Sequence, residues 1–340
     1  MSTTAAEVWV GIDLGGSKIR AGLVDAEGRI GRTVDAITDP RRAVAAQLAE
    51  IVVALCDAGD GTAATAGTSG APDGRRPGDA DVGEGIRIAG IGIGGAGVPT
   101  QAGGLASAPN LGESTGLGPT LSARFGCPVV LDNDVNAAAL GELAAGRGRD
   151  IADFAFVAVG TGIGMGLVSD GRLVRGATGA AGEIGYLPFG ADPLDPATRR
   201  RGPLEEVVAG DVLAARDTGA RTARDVFARA VAGVAEAQDA LDEEALWLAR
   251  ALVAVRAVTD PALVVLGGGI GSRPELLSRI RTWLERHGHG DLSVEISALG
   301  GDGPLIGAAE LVRTADRAAA GHGTPSGRTA GQLRTEGIPA

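Results

Sequence analysis

Residues 8–24 read VWVGIDLGGSKIRAGLV, and whether the second half is strand or helix separates two large fold classes. Residues 8–12 are an apolar run of buried-strand length. The run enters Asp13-Leu14-Gly15-Gly16-Ser17-Lys18, and no helix follows: residues 19–24 read as a second strand, and Glu27-Gly28 turns the chain into a third over residues 29–34. A glycine doublet between strands lets main-chain N–H groups approach a phosphate. The loop is neither a Walker A loop nor a dinucleotide fingerprint, because both need a helix after the glycines. Asp13, at a strand end, suits a hydrated Mg²⁺, and Lys18 adds a compact charge. The plain alternative is a glycine hairpin with a solvated lysine.

Outward from this unit the pattern returns. Residues 154–159 read as a strand, Gly160-Thr161-Gly162-Ile163-Gly164 as a turn, and residues 165–168 as a strand. Gly166-Leu167-Val168 echoes Gly22-Leu23-Val24 about 145 residues further on, which is the mark of a duplicated domain. Between the two units, residues 40–57 predict a helix, 86–93 and 128–131 strands, and 135–145 a helix. Beyond them, residues 203–256 read as mostly helical. Residues 262–266 predict a strand, 267–271 a turn, 274–284 a helix, 292–298 a strand and 305–314 a helix.

Composition bounds the function. The 340 residues, 44% hydrophobic and 21% charged, suffice for two globular domains. No apolar run reaches the length of a membrane span, and residues 1–6 lack the features of a signal peptide. Cys56 and Cys127 cannot form a disulfide framework or, alone, a four-ligand zinc site, so a reduced, cytoplasmic protein is expected. A net charge of −11 argues against a nucleic-acid surface, and the single basic cluster, Arg199-Arg200-Arg201, reads as a solvated loop face. Of the 31 basic residues only Lys18 is a lysine, which marks a place where arginine's planar fork would not serve.

Two further segments bear on chemistry. Gly92, Gly94 and Gly97 have dinucleotide spacing, but Val98-Pro99-Thr100 follows where a helix is required. Residues 131–136, Leu-Asp-Asn-Asp-Val-Asn, close a strand and open a helix. Asp132 or Asn133 can cap that helix, leaving Asp134 at a strand's C-terminal end, where open α/β sheets bind ligands. There Asp134 can cap, or it can accept a proton from an attacking hydroxyl.

Four motifs in order resemble those of the ROK family of repressors, open reading frames and sugar kinases. They are residues 13–18, 133–142, 160–164, and Ala181-Gly182-Glu183-Ile184-Gly185. Pro109-Asn110-Leu111 and Gly307-Ala308-Ala309 also fit, and the resemblance spans roughly residues 7–315. It implies an α/β, actin-like or hexokinase-type (ribonuclease H-like) duplicated fold of two domains around a central cleft. Residues 1–132 with 305–318 would form the N-terminal domain and 133–304 the C-terminal one. Residues 58–85 would be a flexible insertion and 319–340 a disordered tail. The activity implied is that of a glucokinase-like enzyme, transferring the γ-phosphate of ATP, with Mg²⁺, to a hexose or amino-hexose, usually at the 6-OH. Asp134 would be the general base. Asn110, Asn133, Asp134, Glu183, Tyr186 and Glu205 would hold the sugar. Asp13, Gly15, Gly16, Ser17, Lys18, Thr161, Gly162, Gly267, Gly268 and Gly269 would hold the nucleotide, Asp13 reaching Mg²⁺ through water. A homodimer without nucleic-acid or membrane partners is the family expectation.

Two departures stand out. Family members commonly carry histidine after Glu-Ile-Gly and three cysteines in a short cluster. Here the histidine position is Tyr186, residues 187–204 contain no cysteine, and no structural zinc is expected. Pro188, Pro193, Pro196 and Pro203 are expected to stiffen the segment instead. These changes motivate a competing reading, a catalytically silent sugar-binding regulatory protein. The arginine triplet supports a weaker one, a polyphosphate-dependent glucokinase.

Overall fold

A computed structural model describes residues 6–57, 86–100, 102–106, 111 and 114–319. The expected insertion at 58–85, Asn110 and residues 320–340 lie outside the described residues. The first half contains β1 (Ala6–Leu14), β2 (Lys18–Val24), β3 (Ile30–Ile37), α1 (Val44–Asp57), β4 (Ile86–Gly95), β5 (Val98–Pro99), β6 (Leu105–Ala106), α2 (Leu117–Phe125), β7 (Val129–Asn133) and α3 (Asp134–Ala145). The second contains β8 (Phe154–Val159), β9 (Ile163–Ser169), β10 (Arg172–Val174), α4 (Glu205–Val208), α5 (Gly210–Ala215), α6 (Ala223–Val231), α7 (Ala235–Thr259), β11 (Leu263–Gly267), α8 (Gly268–Gly271), α9 (Pro274–Arg286), β12 (Val294–Ile296) and α10 (Gly303–Ala319).

The duplication expected from the paired hairpins is present in the topology. One sheet runs β3-β2-β1-β4-β7 and the other β10-β9-β8-β11-β12, so each unit's strands take the same places. In both, the first three strands in sequence pair antiparallel and the last two add in parallel. Val10, Ile12 and Leu14 of β1 are fully buried, as are Phe154, Ala155 and Val159 of β8, because both strands sit centrally in their sheets. Parallel strands put their C-terminal ends along one edge, and the edges carry Asp13, Asn133 and Gly267.

Helices α3 and α10 cross between the sheets at very close range. A Cβ on Gly307 would overlap the Ala137 carbonyl, and one on Gly92 would overlap the Ala308 carbonyl. Glycine at these positions lets α10 lie on β4 and against α3 at once. No described helix is long and apolar enough to cross a membrane.

Several expectations need correction. Helix α1 starts at Val44 rather than Pro40, because the Gln47 side chain closes residues 39–42 into a turn, accepting from Asp39 N (2.9 Å) and donating to the Asp39 and Arg42 carbonyls. Residues 267–271 are the strand end plus a single helical turn, α8, rather than a plain turn. The last strand contracts to Val294–Ile296, and α10 extends through Ala319, the first residue of the expected tail. Helix α2 was not foreseen, since Gly116, Gly118 and Pro119 hide its start; Gly116 has φ 68°.

Candidate active site

At the junction of β7 and α3 the division of labour is clear. Asn133 is the N-cap: its Oδ1 accepts from Val135 N (2.9 Å) and Asn136 N (3.3 Å), while Nδ2 donates to the Gly97 carbonyl (3.3 Å). Asp132 is buried and held by Asn136 Nδ2 (2.8 Å) and Arg175 Nε (2.6 Å). That leaves the Asp134 carboxylate, which accepts from its neighbour Val135 N (2.9 Å) and lines a cavity of about 1100 Å³. Burial raises its pKa above the ordinary carboxylate range, with the Val135 N–H working the other way.

The same cavity is lined by Asn133, Thr161, Gly162, Glu183, Tyr186, Glu205 and Gly268. The structure therefore brings the described sugar residues of the sequence reading to one place, with Thr161, Gly162 and Gly268 of the nucleotide set. Glu183 has its pKa raised by burial and by the charges of Glu205 and Asp134. Tyr186 is 53% exposed and its hydroxyl donates to the Arg200 carbonyl (3.3 Å). Glu205 accepts from Ile163 N (3.0 Å) through Oε2.

The turn at Thr161-Gly162 is shaped to receive an anion. Gly160 N donates to the Gly162 carbonyl (2.9 Å) and Gly160 O accepts from Gly210 N (2.9 Å), which fixes the loop. The N–H groups of Thr161 and Gly162 have no partner among the described residues. Such unpaired main-chain donors at a cavity wall fit a phosphate group.

Other candidates fall elsewhere. Asp13 and Lys18 line a second cavity of about 360 Å³ with Arg20, Asp35 and Gly301. Burial first, then the Asp134 charge, pushes the Asp13 carboxyl up to about 6, against the pull of Arg20 and Lys18. It accepts no hydrogen bond from a described residue, which fits a carboxylate facing a water-bridged Mg²⁺. The Lys18 ammonium lies 3.0 Å from Asp35, both side chains more than half exposed. Gly15, Gly16, Ser17, Gly267 and Gly269 line neither cavity. The Gly15 loop is closed by Gly15 N to Lys18 O (2.9 Å) and buttressed by Thr38, whose Oγ1 donates to the Gly15 carbonyl (2.7 Å).

The segment 187–204 is held by hydrogen bonds and packing. Leu187 and Phe189 pack on the core and Thr198 is buried. Ala191 N reaches the Pro203 carbonyl (3.0 Å), Gly202 N the Thr198 carbonyl (2.8 Å), and Leu204 N the Gly185 carbonyl (3.0 Å). The arginine triplet does not form the uniform solvated face expected of it. Arg200 and Arg201 line the main cavity, and Arg201 is clamped on Asp211 by two bonds (3.1 and 2.9 Å). Sequence reasoning also missed Arg175, whose partner Asp132 lies 43 residues away with no local signal.

Two sheets of like order around a cleft with acidic residues at strand ends define an α/β protein of the actin-like, hexokinase-type fold. Residues 81–315 match the ROK family, and the chain belongs to it. The Streptomyces coelicolor glucokinase is 30% identical over 338 residues, covering 90% of this chain and 98% of that protein. The N-acetylmannosamine kinase of Citrobacter koseri is 39% identical over 173 residues, 49% of this chain and 59% of its own length. The chain spans still less, 38%, of the bifunctional enzyme NanE/NanK of Brucella melitensis, at 37% identity over 58% of this chain. Among solved structures, a ROK family glucokinase from Streptomyces griseus in complex with glucose and AMPPNP superposes with TM-score 0.69 at 27% identity, covering 90% of this chain and 99% of that one. A ROK hexokinase from Thermus thermophilus gives 0.71 at 28%, covering 91% and 99%.

Proposed function

We propose that this protein is an ATP- and Mg²⁺-dependent sugar kinase acting on a hexose or amino-hexose, at the 6-OH, with Asp134 as general base. The observation that carries this reading is the Asp134 carboxylate, half-buried at the start of α3 and lining one cavity with Glu183 and the unpaired N–H groups of Thr161 and Gly162. The names of the relatives, glucokinase and N-acetylmannosamine kinase, support the substrate class, and the AMPPNP complex of the Streptomyces griseus enzyme supports ATP as donor.

In this reading Asn133, Glu183, Glu205 and Tyr186 orient the sugar so that one hydroxyl meets Asp134. Asp134 takes the hydroxyl proton as the oxygen bonds to phosphorus and the bond to the leaving phosphate breaks. The Thr161 and Gly162 amides would hold phosphate oxygens, and Asp13 would hold Mg²⁺, which would supply charge to balance the phosphates. ATP, when bound with Mg²⁺, supplies the transferable phosphoryl group. Residues 1–132 with 305–318 and residues 133–304 would close on each other, excluding water so that ATP is not hydrolysed.

The test is ADP release from ATP and Mg²⁺ with separate hexoses and amino-hexoses. Asp134→Asn is expected to keep the fold and lower sugar-dependent turnover by about 10²–10⁴. Turnover near wild type in that variant would overturn the assignment of the base. Silence of the wild-type protein across the panel, with sugar binding retained, would replace the kinase by a sugar sensor.

A further inference from the structure

Glu205 lies on the wall of the main cavity between the Thr161–Ile163 loop and the turn that follows Glu183, and it is tied to both. Its own main chain follows Leu204, whose N–H donates to the Gly185 carbonyl (3.0 Å), within the 3₁₀ turn Ile184–Tyr186 that directly follows Glu183 and ends in Tyr186. Its side chain leaves in the other direction. Oε2 accepts from Ile163 N (3.0 Å), across 42 residues of sequence, and a Cβ on Gly162 would run into the same carboxylate. The other oxygen, Oε1, is 3.5 Å from Arg201 Nε, and Arg201 is itself fixed on Asp211. Helix α4 is anchored from behind as well, because Arg216 donates to the Val207 carbonyl while pairing with Glu244 of α7 (2.8 Å).

We infer that Glu205 is a positioning residue that couples the acceptor side of the cleft to the donor side, by holding the Thr161–Ile163 main chain to the turn that carries Glu183 and Tyr186. The inference rests on the kinase reading above and adds to it. A sugar gripped by Glu183 and Tyr186 fixes the Ile184–Tyr186 turn. Through Leu204 and Glu205 it then fixes the Ile163 amide, and with it the two free N–H groups of the preceding residues. Binding at either side lowers the cost of ordering the other, and the effect is reciprocal.

The experiment measures binding of AMPPNP with Mg²⁺ by calorimetry, with and without the sugar that gives wild-type turnover. In wild type the sugar is expected to tighten AMPPNP about 5- to 100-fold, and AMPPNP to tighten the sugar by the same factor. Glu205→Ala is expected to weaken AMPPNP about 10-fold even without sugar, the loss of one charge-assisted hydrogen bond, and to bring the coupling factor near unity. Glu205→Gln keeps an acceptor for Ile163 N and should restore sugar-free AMPPNP affinity. Glu183→Ala should lose the sugar and leave sugar-free AMPPNP affinity at the wild-type value. A Glu205→Ala protein that binds AMPPNP as wild type does, losing only the sugar, would reduce Glu205 to a sugar ligand and overturn the inference.

Should Glu205→Ala fail to fold, hydrogen exchange on wild type decides. Sugar alone, without nucleotide, must slow exchange of the Ile163 amide, and unchanged exchange overturns the inference. The two readings fail differently. A wild-type protein with sugar-dependent turnover but no coupling refutes only the role of Glu205, whereas one that neither binds AMPPNP nor releases ADP refutes the kinase.

Discussion

Asp13 and Asp134 have raised pKa values for the same first reason, removal of a carboxylate from water, and in the proposed kinase each would act in its charged form. A base with a raised pKa is protonated, and idle, over a wider acid range. The Asp13 carboxyl at about 6 adds to this, since in the proposed kinase its protonation would remove the carboxylate that faces Mg²⁺. Sugar-dependent kcat/KM is therefore expected to climb as pH rises from 5 to 7, tracking a group with pKa near 6. A flat profile over that interval would show that neither aspartate titrates in the working range. At this scale the sequence was partly legible. A strand end followed by Asp-Asn-Asp and a helix made Asp134 visible, because capping and catalysis compete for the same short segment. Asn133 took the cap and left Asp134 to the cavity. The rarity of Lys18 marks it as a place where arginine would not serve, and nothing local announces its ion pair with Asp35 on the neighbouring strand β3.

Elements are held by contacts that sequence periodicity does not encode. Glu244 of α7 is fully buried, with Oε2 on Arg216 and Oε1 unpartnered, and burial lifts its pKa from 4.5 to about 8 despite Arg216. A folded-state pKa above the unfolded one means this group's stabilising contribution is intact below pH 4.5 and is lost as pH rises through 8. Glu244→Gln keeps an acceptor for Arg216 and removes the titration. Its thermal midpoint relative to wild type is expected to rise between pH 5 and pH 8 and then level off. A difference independent of pH would show that Glu244 does not change its charge on unfolding. The α3–α10 crossing makes the complementary point. Gly307→Val would drive side-chain atoms into the Ala137 carbonyl, and a loss of about 1–3 kcal/mol or more is expected from denaturant unfolding. The motif Gly307-Ala308-Ala309 was visible in the sequence, but its reason, contact between helices far apart in the chain, was not. Helix α2 escaped altogether because glycine and proline at its start are loop signals when read locally.

For the whole molecule, the duplicated hairpin was enough to foresee two related units, and the matching strand orders bear it out. A central strand flanked by an antiparallel hairpin on one side and parallel strands on the other places strand ends, and with them the acidic residues, on the cleft. Two such units joined through β7–α3 and β12–α10 are expected to close when sugar and AMPPNP bind together, so the radius of gyration from small-angle scattering should shrink relative to the free protein. An unchanged radius would mean that the free protein is already closed. The ion pair on β2 has a practical side. Lys18 is the chain's sole lysine and its side chain is 61% exposed. Amine-directed dyes can therefore modify just one side chain besides the amino terminus, and a lysine-specific protease has one bond to cut. A fluorophore placed there would sit on the first unit alone, giving a homogeneous optical reporter of its distance from any label attached to the second.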